Sequence, residues 1–228
     1  MMDLLLQQCK LTPQQKNLLH KAISDGKAKF NEIMANMPKT ITKKYVSSLQ
    51  YDLINEAISN AVDLNKELNL EVIPSKAGGH PYIYVRDNTR NISFVICRLP
   101  TSRHIFTPSK YRGEFSQTNF DKLIQLGVRE ESLTDLEDYQ QSFTFDEETV
   151  PFGIIIYYDP YKDKIFEGAL KPSQSDWIYK EPLTYTPLEN LITTEEMITP
   201  NGNNENDIPL SFNNIFQSEE DIEINLKI

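Results

Sequence analysis

Basic, aromatic and histidine side chains are concentrated between residues 76 and 112. This stretch holds seven Lys or Arg residues against one acid, together with two of the three histidines of the chain. An imidazole that titrates near neutral pH can act as a general acid or base beside fixed cations, which stabilise the charge that develops on a phosphoryl group. Metal-independent cleavage of RNA is therefore one candidate chemistry. Its candidate catalytic residues are His80, His104, Arg103, Lys110 and Arg112.

The same stretch has the pattern of a β-hairpin. Residues 81–87 and 92–99 are predicted to be two strands, and a turn of even length between them places Val85 opposite Phe94. The face that holds this pair is expected to belong to the core. The other face then carries two aromatic rings and a guanidinium along one strand, from Tyr82, Tyr84 and Arg86.

Aromatic rings beside cations favour binding without catalysis. The bases of a single-stranded nucleic acid stack on aromatic side chains, and Arg or Lys neutralises its phosphates. We expect the hairpin, residues 76–112, to contact single-stranded or structured nucleic acid, as RNA or single-stranded DNA, or an acidic protein partner in this way. The alternative is that helices cover the two tyrosines and that the cations only rim the sheet. The candidate nucleic-acid-binding residues are Tyr82, Tyr84, Arg86, Arg90, Arg98, Arg103, Lys110 and Arg112.

The acidic residues of the chain do not have the spacing of a metal site. A two-strand nuclease core needs an acid on one strand and Glu-x-Lys on the next, so that both carboxylates and the lysine meet at one metal ion. Here Glu167 and Lys171 are four residues apart, which is about 13 Å along a strand. Asp159 and Asp163 are better explained as turn formers. We therefore expect neither a metal ion nor a cofactor.

The N-terminal sequence predicts two amphipathic helices. Thr12 to Gln15 have the pattern of a capping box with proline at the first helical position. Apolar residues then recur at helical spacing, with Gly26 as a candidate break. Past Pro38, a second helical pattern runs from about residue 42 to residue 68.

Past the basic hairpin, the sequence predicts a loop to about residue 117, a short helix at 119–126 and a second hairpin. The first strand of that hairpin contains three consecutive isoleucines, 154–156, so both of its faces need cover. The predicted fold class is α+β, with two N-terminal amphipathic helices packed on a mixed or mainly antiparallel sheet built from two hairpins. We expect one domain over residues 1–185, with a helical part at 1–72 and a sheet part at 73–185.

An acidic, Asn-rich tail follows over residues 186–228. The formal net charge of the chain is −10, yet residues 1–120 carry +6 and the tail carries −8. The tail is therefore expected to compete for the basic hairpin or to recruit a partner. Apolar and polar residues alternate at 222–228, the period of a half-buried strand. The segment 219–228 is thus a candidate docking strand for a protein partner.

Composition favours a cytoplasmic protein without membrane association. No run of 18 apolar residues is present, the first residues do not resemble a signal peptide, and the two cysteines are far apart. The favoured function is a non-catalytic binding or regulatory protein, an accessory factor of the mobile-element, toxin–antitoxin or phage-defence type. Two alternatives stay open: a ribonuclease-type toxin using His80 and His104, and an interaction module acting through the C-terminal strand.

Overall fold

The structure is a computed structural model, and it describes residues 2–38, 45–77, 80–98, 109–129 and 150–187. N-terminal helices pack against a six-stranded mixed sheet, so the predicted α+β class is confirmed. The helices are α1 (Met2–Cys9), α2 (Pro13–Asn36), α3 (Val46–Leu64), α4 (Lys110–Ser116) and α5 (Asn119–Gln125). The strands are β1 (Leu70–Ala77), β2 (His80–Asp87), β3 (Ile92–Arg98), β4 (Phe152–Tyr158), β5 (Ile165–Leu170) and β6 (Trp177–Pro182).

Helix α2 begins at the predicted capping box. The Thr12 hydroxyl accepts a hydrogen bond from the Gln15 backbone N–H at 3.2 Å, and the Gln15 side chain accepts one from the Thr12 N–H at 3.1 Å. The helix then continues through Gly26 without a break. A Cβ at this position would lie 2.7 Å from the Cα of Ile54, so the glycine allows α3 to approach the α2 backbone closely.

The six strands follow chain order across the sheet, from β1 to β6. Every neighbouring pair is antiparallel except β3 and β4, which are parallel. Both predicted hairpins form, as β2–β3 and β4–β5, and the parallel pair joins them at the centre. The two outer strands, β1 and β6, were not predicted. Both mix exposed, half-buried and buried positions without a strict alternation, and β1 contains Pro74 and Ser75, which weaken the strand pattern.

The predicted register of the first hairpin is confirmed. Val85 pairs with Phe94, and Arg86 pairs with Ser93. The side chains of β2 therefore alternate as expected, with Val85 in the larger core and the Tyr84 position on the opposite side of the sheet.

The two faces of the sheet are covered differently. The larger core lies between one face and helices α1, α2, α3 and α5. A smaller core on the other face contains Ile155 and Phe115, the latter from α4. Helix α4 occupies part of the interval that was expected to be a loop. It lies so close to β4 that a Cβ on Gly153 would be 1.5 Å from the Phe115 carbonyl oxygen. The three isoleucines of β4 are buried from both sides, as predicted.

Several predicted features lie outside the described residues. These are Arg103 and His104, and the tail from residue 188 onward, which includes the candidate docking strand at 219–228. The functional roles assigned to them stay predictions.

Gly26→Ala should destabilise the protein, although alanine is the better helix former by about 1 kcal/mol. The new Cβ meets the backbone of Ile54, so α2 and α3 must separate, and overpacking of this kind costs about 1–3 kcal/mol. Urea unfolding measures the change. The exposed neighbour Asp25→Ala is the control and should change the free energy of unfolding by less than about 0.5 kcal/mol. A Gly26→Ala variant more stable than wild type would contradict the close-approach argument.

Candidate functional site

The candidate site is the sheet face turned away from α2 and α3, which we call the aromatic face. On β2, Tyr82 and Tyr84 are half-buried. Tyr84 packs edge-to-face on Phe115 of α4, with ring centroids 5.5 Å apart. The Arg86 guanidinium lies over the Tyr84 ring at 6.0 Å and donates a hydrogen bond to its hydroxyl at 3.4 Å. The predicted row of two rings and one cation is therefore present along this strand.

A groove runs beside this row, and we call it the β2 groove. Its volume is about 770 Å³. The side chains that line it include Tyr82, Tyr84, Arg86, Ser93, Glu114 and Phe115. The rings present partly exposed surface, and the polar groups at the margin can donate and accept hydrogen bonds. A chain of stacked bases needs this combination of ring surface and nearby cation.

The aromatic face continues across β4, β5 and β6, which the sequence reasoning missed. The Tyr157 ring stacks on Phe166 at 5.0 Å and lies 5.6 Å from Trp177. Lys180 Nζ is between 5.2 and 5.7 Å from the centroids of all three rings. Gly168 leaves room for the indole, because a Cβ there would be 2.8 Å from the Trp177 ring. The available signal was the single tryptophan of the chain, which is the first residue of β6, a strand that was not predicted.

Arg90 was predicted to bind nucleic acid, and the structure shows it in a network with α2. Its guanidinium contacts Asp87 Oδ2 at 2.7 Å, the Gln15 side chain at 2.6 Å and the Lys10 carbonyl at 2.6 Å. Asp87 is only 2% exposed. Burial alone would raise the pKa of Asp87, but the hydrogen bonds from Gln15 and Arg90 hold it below its usual value. Arg90 thus connects the β2–β3 turn to the start of α2.

The other described candidate residues are spread over two places. His80 and Arg98 both line a cavity at the end of the sheet, where His80 is exposed and Arg98 is half-buried. Arg98 donates a hydrogen bond to the Tyr161 hydroxyl at 3.2 Å. Lys110 and Arg112 lie on α4, and the described lining of that cavity includes neither of them. Within the described residues, the candidate catalytic set is therefore not collected around one cavity.

A second cluster of ionisable groups lies between α2 and the strands β5 and β6. Lys16 Nζ is 2.9 Å from Glu167 and 2.7 Å from Glu181, and Lys10 is 2.6 Å from Glu181. Burial raises the pKa of Glu167 to about 7. Burial also acts to raise the pKa of Glu181, but the hydrogen bonds that Glu181 accepts from Glu167, Lys10 and Lys16 outweigh it and lower that pKa to about 2. Lys16 thus holds α2 on β5 and β6 through two carboxyl groups whose pKa values are far apart.

No protein-family model, curated protein or solved structure matches this chain. In the part of the chain that the structure describes, no group of three or more His, Cys, Asp or Glu side chains is placed to hold a metal ion. None of the described helices is long and apolar enough to cross a membrane.

Arg90→Ala should lower the free energy of unfolding by roughly 2–4 kcal/mol, because the carboxylate of Asp87 stays buried after losing its cation. The control is Arg86→Ala, because the described contacts of the Arg86 guanidinium are with the ring and the hydroxyl of Tyr84. This variant should lower the free energy of unfolding by about 1 kcal/mol or less. Urea unfolding compares the two variants. Equal stability of both would show that the Arg90 network does not hold the turn on α2.

Glu167→Gln should change how stability depends on pH. The folded protein holds a proton on Glu167 up to about pH 7, whereas the unfolded chain releases it near pH 4.5. The wild-type protein therefore loses stability from this group as pH rises from 4.5 to 7, and the glutamine variant does not. Glu181, whose pKa is lowered from 4.5 to about 2, changes the stability of the protein only below pH 4.5. Urea unfolding at several pH values tests this, with the exposed Glu56→Gln as control. Parallel wild-type and Glu167→Gln curves would contradict it.

Proposed function

We propose that this protein binds single-stranded nucleic acid, in particular RNA, on its aromatic face and does not cut it. The observation that supports this most is the presence of cations over aromatic rings at two places on one sheet face: Arg86 over Tyr84, and Lys180 over Trp177 and its neighbours. Bases stack on partly exposed rings whatever their sequence, while cations at the ring margins reach the phosphates. The proposed binding is therefore sequence-tolerant and salt-dependent.

The position of α4 is consistent with this proposal. α4 covers only part of the face, through Phe115 and its contact with Gly153, and leaves the β2 groove open beside it. Helices α2 and α3 pack on the opposite face. Phe115 of α4 contacts Tyr84 edge-to-face, and Tyr84 is half-buried, so part of its surface stays exposed.

We further propose a cytoplasmic regulatory role of the accessory type, associated with mobile elements, toxin–antitoxin pairs or phage defence. The tail, with its net charge of −8, would compete with nucleic acid for the cations of the aromatic face. Segment 219–228 would provide a strand for a protein partner. Replacing the nine tail acids by Asn or Gln in the full chain tests the competition, because it should strengthen binding of single-stranded RNA.

The binding prediction concerns the two cations. Arg86→Gln and Lys180→Gln should each weaken binding of labelled single-stranded RNA by about 5-fold and reduce the slope of log affinity against log salt by about 1. Fluorescence anisotropy over several salt concentrations measures both quantities. Lys29→Gln is the matched control, because it removes the same charge from an exposed position on α2.

The outcomes separate the functional alternatives. If Lys29→Gln weakens binding as much as the other two variants, the attraction is only non-specific charge and the aromatic face is not the site. Gel analysis of the probe after the titration tests cleavage. A cut probe, with cleavage lost in His80→Ala at unchanged melting temperature, would replace the binding proposal by the ribonuclease alternative.

A further inference from the structure

Three aromatic rings on the aromatic face share one cation, and we call them the three-ring site. The rings belong to Tyr157 of β4, Phe166 of β5 and Trp177 of β6. Lys180 Nζ is 5.2 Å from the ring centroid of Tyr157, 5.5 Å from that of Trp177 and 5.7 Å from that of Phe166. A cation–π interaction extends to about 6 Å from the ring centroid. A single cation position is therefore attracted by all three rings.

A β-bulge in β6 places the indole on this face. In a regular strand, residues three apart point to opposite sides of the sheet. The pairing of β5 with β6 contains a register shift, so Leu170 pairs with Trp177 instead of with Ile178. Ile178 is the extra residue and packs on the larger core, whereas Trp177 and Lys180 come to lie on the aromatic face. Bulges are frequent beside functional sites, where they redirect a side chain.

The residue opposite Lys180 on β5 is a glycine, Gly168. A Cβ at this position would lie 2.8 Å from the Trp177 ring. Any larger residue would thus push the indole away from its place beside the Lys180 ammonium. The glycine and the bulge are independent features of two strands, and both position the same ring.

The carboxyl groups of β5 and β6 lie away from the three-ring site. Glu167 and Glu181 are opposite each other on the two strands and pair with Lys16 of α2, on the other face of the sheet. The described contacts of the Lys180 ammonium are with the three rings. Attraction at this site therefore comes from ring faces, which hold a cation most strongly when it has lost its water.

Lys180 suits this position less well than a quaternary ammonium group does. A primary ammonium donates three hydrogen bonds, which water accepts at an exposed residue such as Lys180. Leaving this water for the rings gains little, because cation–π interactions at exposed sites are weak. A quaternary ammonium group has no N–H, so it gives up less hydration, and aromatic cages are the usual protein sites for such groups. A ligand of this kind can therefore displace the lysine.

We infer that the three-ring site binds a small quaternary ammonium ion of the choline type, and that Lys180 occupies the site in the free protein. The trimethylammonium head of the ligand takes the position of Lys180 Nζ. It contacts the half-buried rings of Phe166 and Trp177 and, at the base of the site, the buried ring of Tyr157. A choline ion is only slightly larger than the lysine side chain that it replaces. No bond is made or broken in this binding.

The inference does not rest on the proposed function, because its ligand is a small cation and not a nucleic acid. The two make opposite predictions for one variant. Lys180→Gln removes a cation that would contact RNA phosphates, and it also vacates the three-ring site. The same substitution should therefore weaken binding of RNA and strengthen binding of choline.

Fluorescence titration of the full chain with choline tests the inference. Trp177 is the single tryptophan of the chain, so its emission reports on the site directly. The comparison probe is the neutral tert-butyl analogue of choline, in which carbon replaces the ammonium nitrogen and the shape is kept. We expect choline to bind at least about 5-fold more tightly than this alcohol.

Lys180→Gln should strengthen choline binding by about 3-fold, because the internal competitor is gone. Lys29→Gln removes the same charge from an exposed position on α2 and should leave choline binding unchanged. Phe166→Leu takes away one ring and keeps the fluorescent reporter, and it should weaken choline binding by about 5-fold. Its melting temperature is measured alongside.

Fluorinated tryptophan gives a test that does not depend on whether Phe166→Leu folds. Because the chain has one tryptophan, biosynthetic labelling changes the three-ring site alone. Fluorine withdraws electron density from the face of the indole and changes its size little. The labelled protein should bind choline about 2-fold more weakly and the neutral analogue as before.

Three results would overturn the inference. These are equal affinities for choline and its neutral analogue, no choline binding by either wild type or Lys180→Gln, and equal choline affinities of wild type and Lys180→Gln. Weaker RNA binding by Lys180→Gln without tighter choline binding would reject the three-ring site and leave the proposed function standing. Tighter choline binding by Lys180→Gln without any RNA binding by wild type would support the three-ring site and reject the proposed function.

Discussion

The parallel pairing of β3 and β4 is the constraint on which the rest of the structure depends. Both strands are buried on both faces, so each face of the sheet centre needs its own cover. The helices of the larger core supply one cover, and α4 with the rings of the aromatic face supplies the other. A parallel pair also requires a long connection, which here carries α4 and α5. Because the two strands end together, Arg98 and Tyr158 both line the cavity at that end of the sheet, beside α3.

Charged side chains have two different roles in this fold. Arg90 and Lys16 pair with buried or partly buried carboxylates and fix α2 to the sheet. Arg86, Lys180 and Arg98 instead lie over aromatic rings, where the attraction is weaker and the guanidinium or ammonium group can still reach a ligand. The same residue types therefore hold the fold in one place and remain suited to recognition in another. Among the described residues, the difference follows from whether a carboxylate is within reach of the cation.

The sequence by itself determined the features that depend on neighbouring residues. The capping box fixed the start of α2, the alternation in β2 and β3 fixed which side chains share a face, and three consecutive isoleucines indicated a strand buried on both sides. Each follows from the local period of helix or strand, so no knowledge of the fold was needed. The edge strands were missed, because their half-exposed residues show no clear period.

Only the tertiary structure decided which distant residues meet. Arg86 and Arg90 are four residues apart, yet Arg86 lies over a ring of the aromatic face while Arg90 reaches Gln15 on α2. Trp177 and Lys180 joined the aromatic face because β6 pairs with β5. The first turn of α3 met Arg98 and Tyr158 because two strands far apart in the chain became parallel neighbours. Such contacts depend on strand order and helix packing, which local periodicity does not specify.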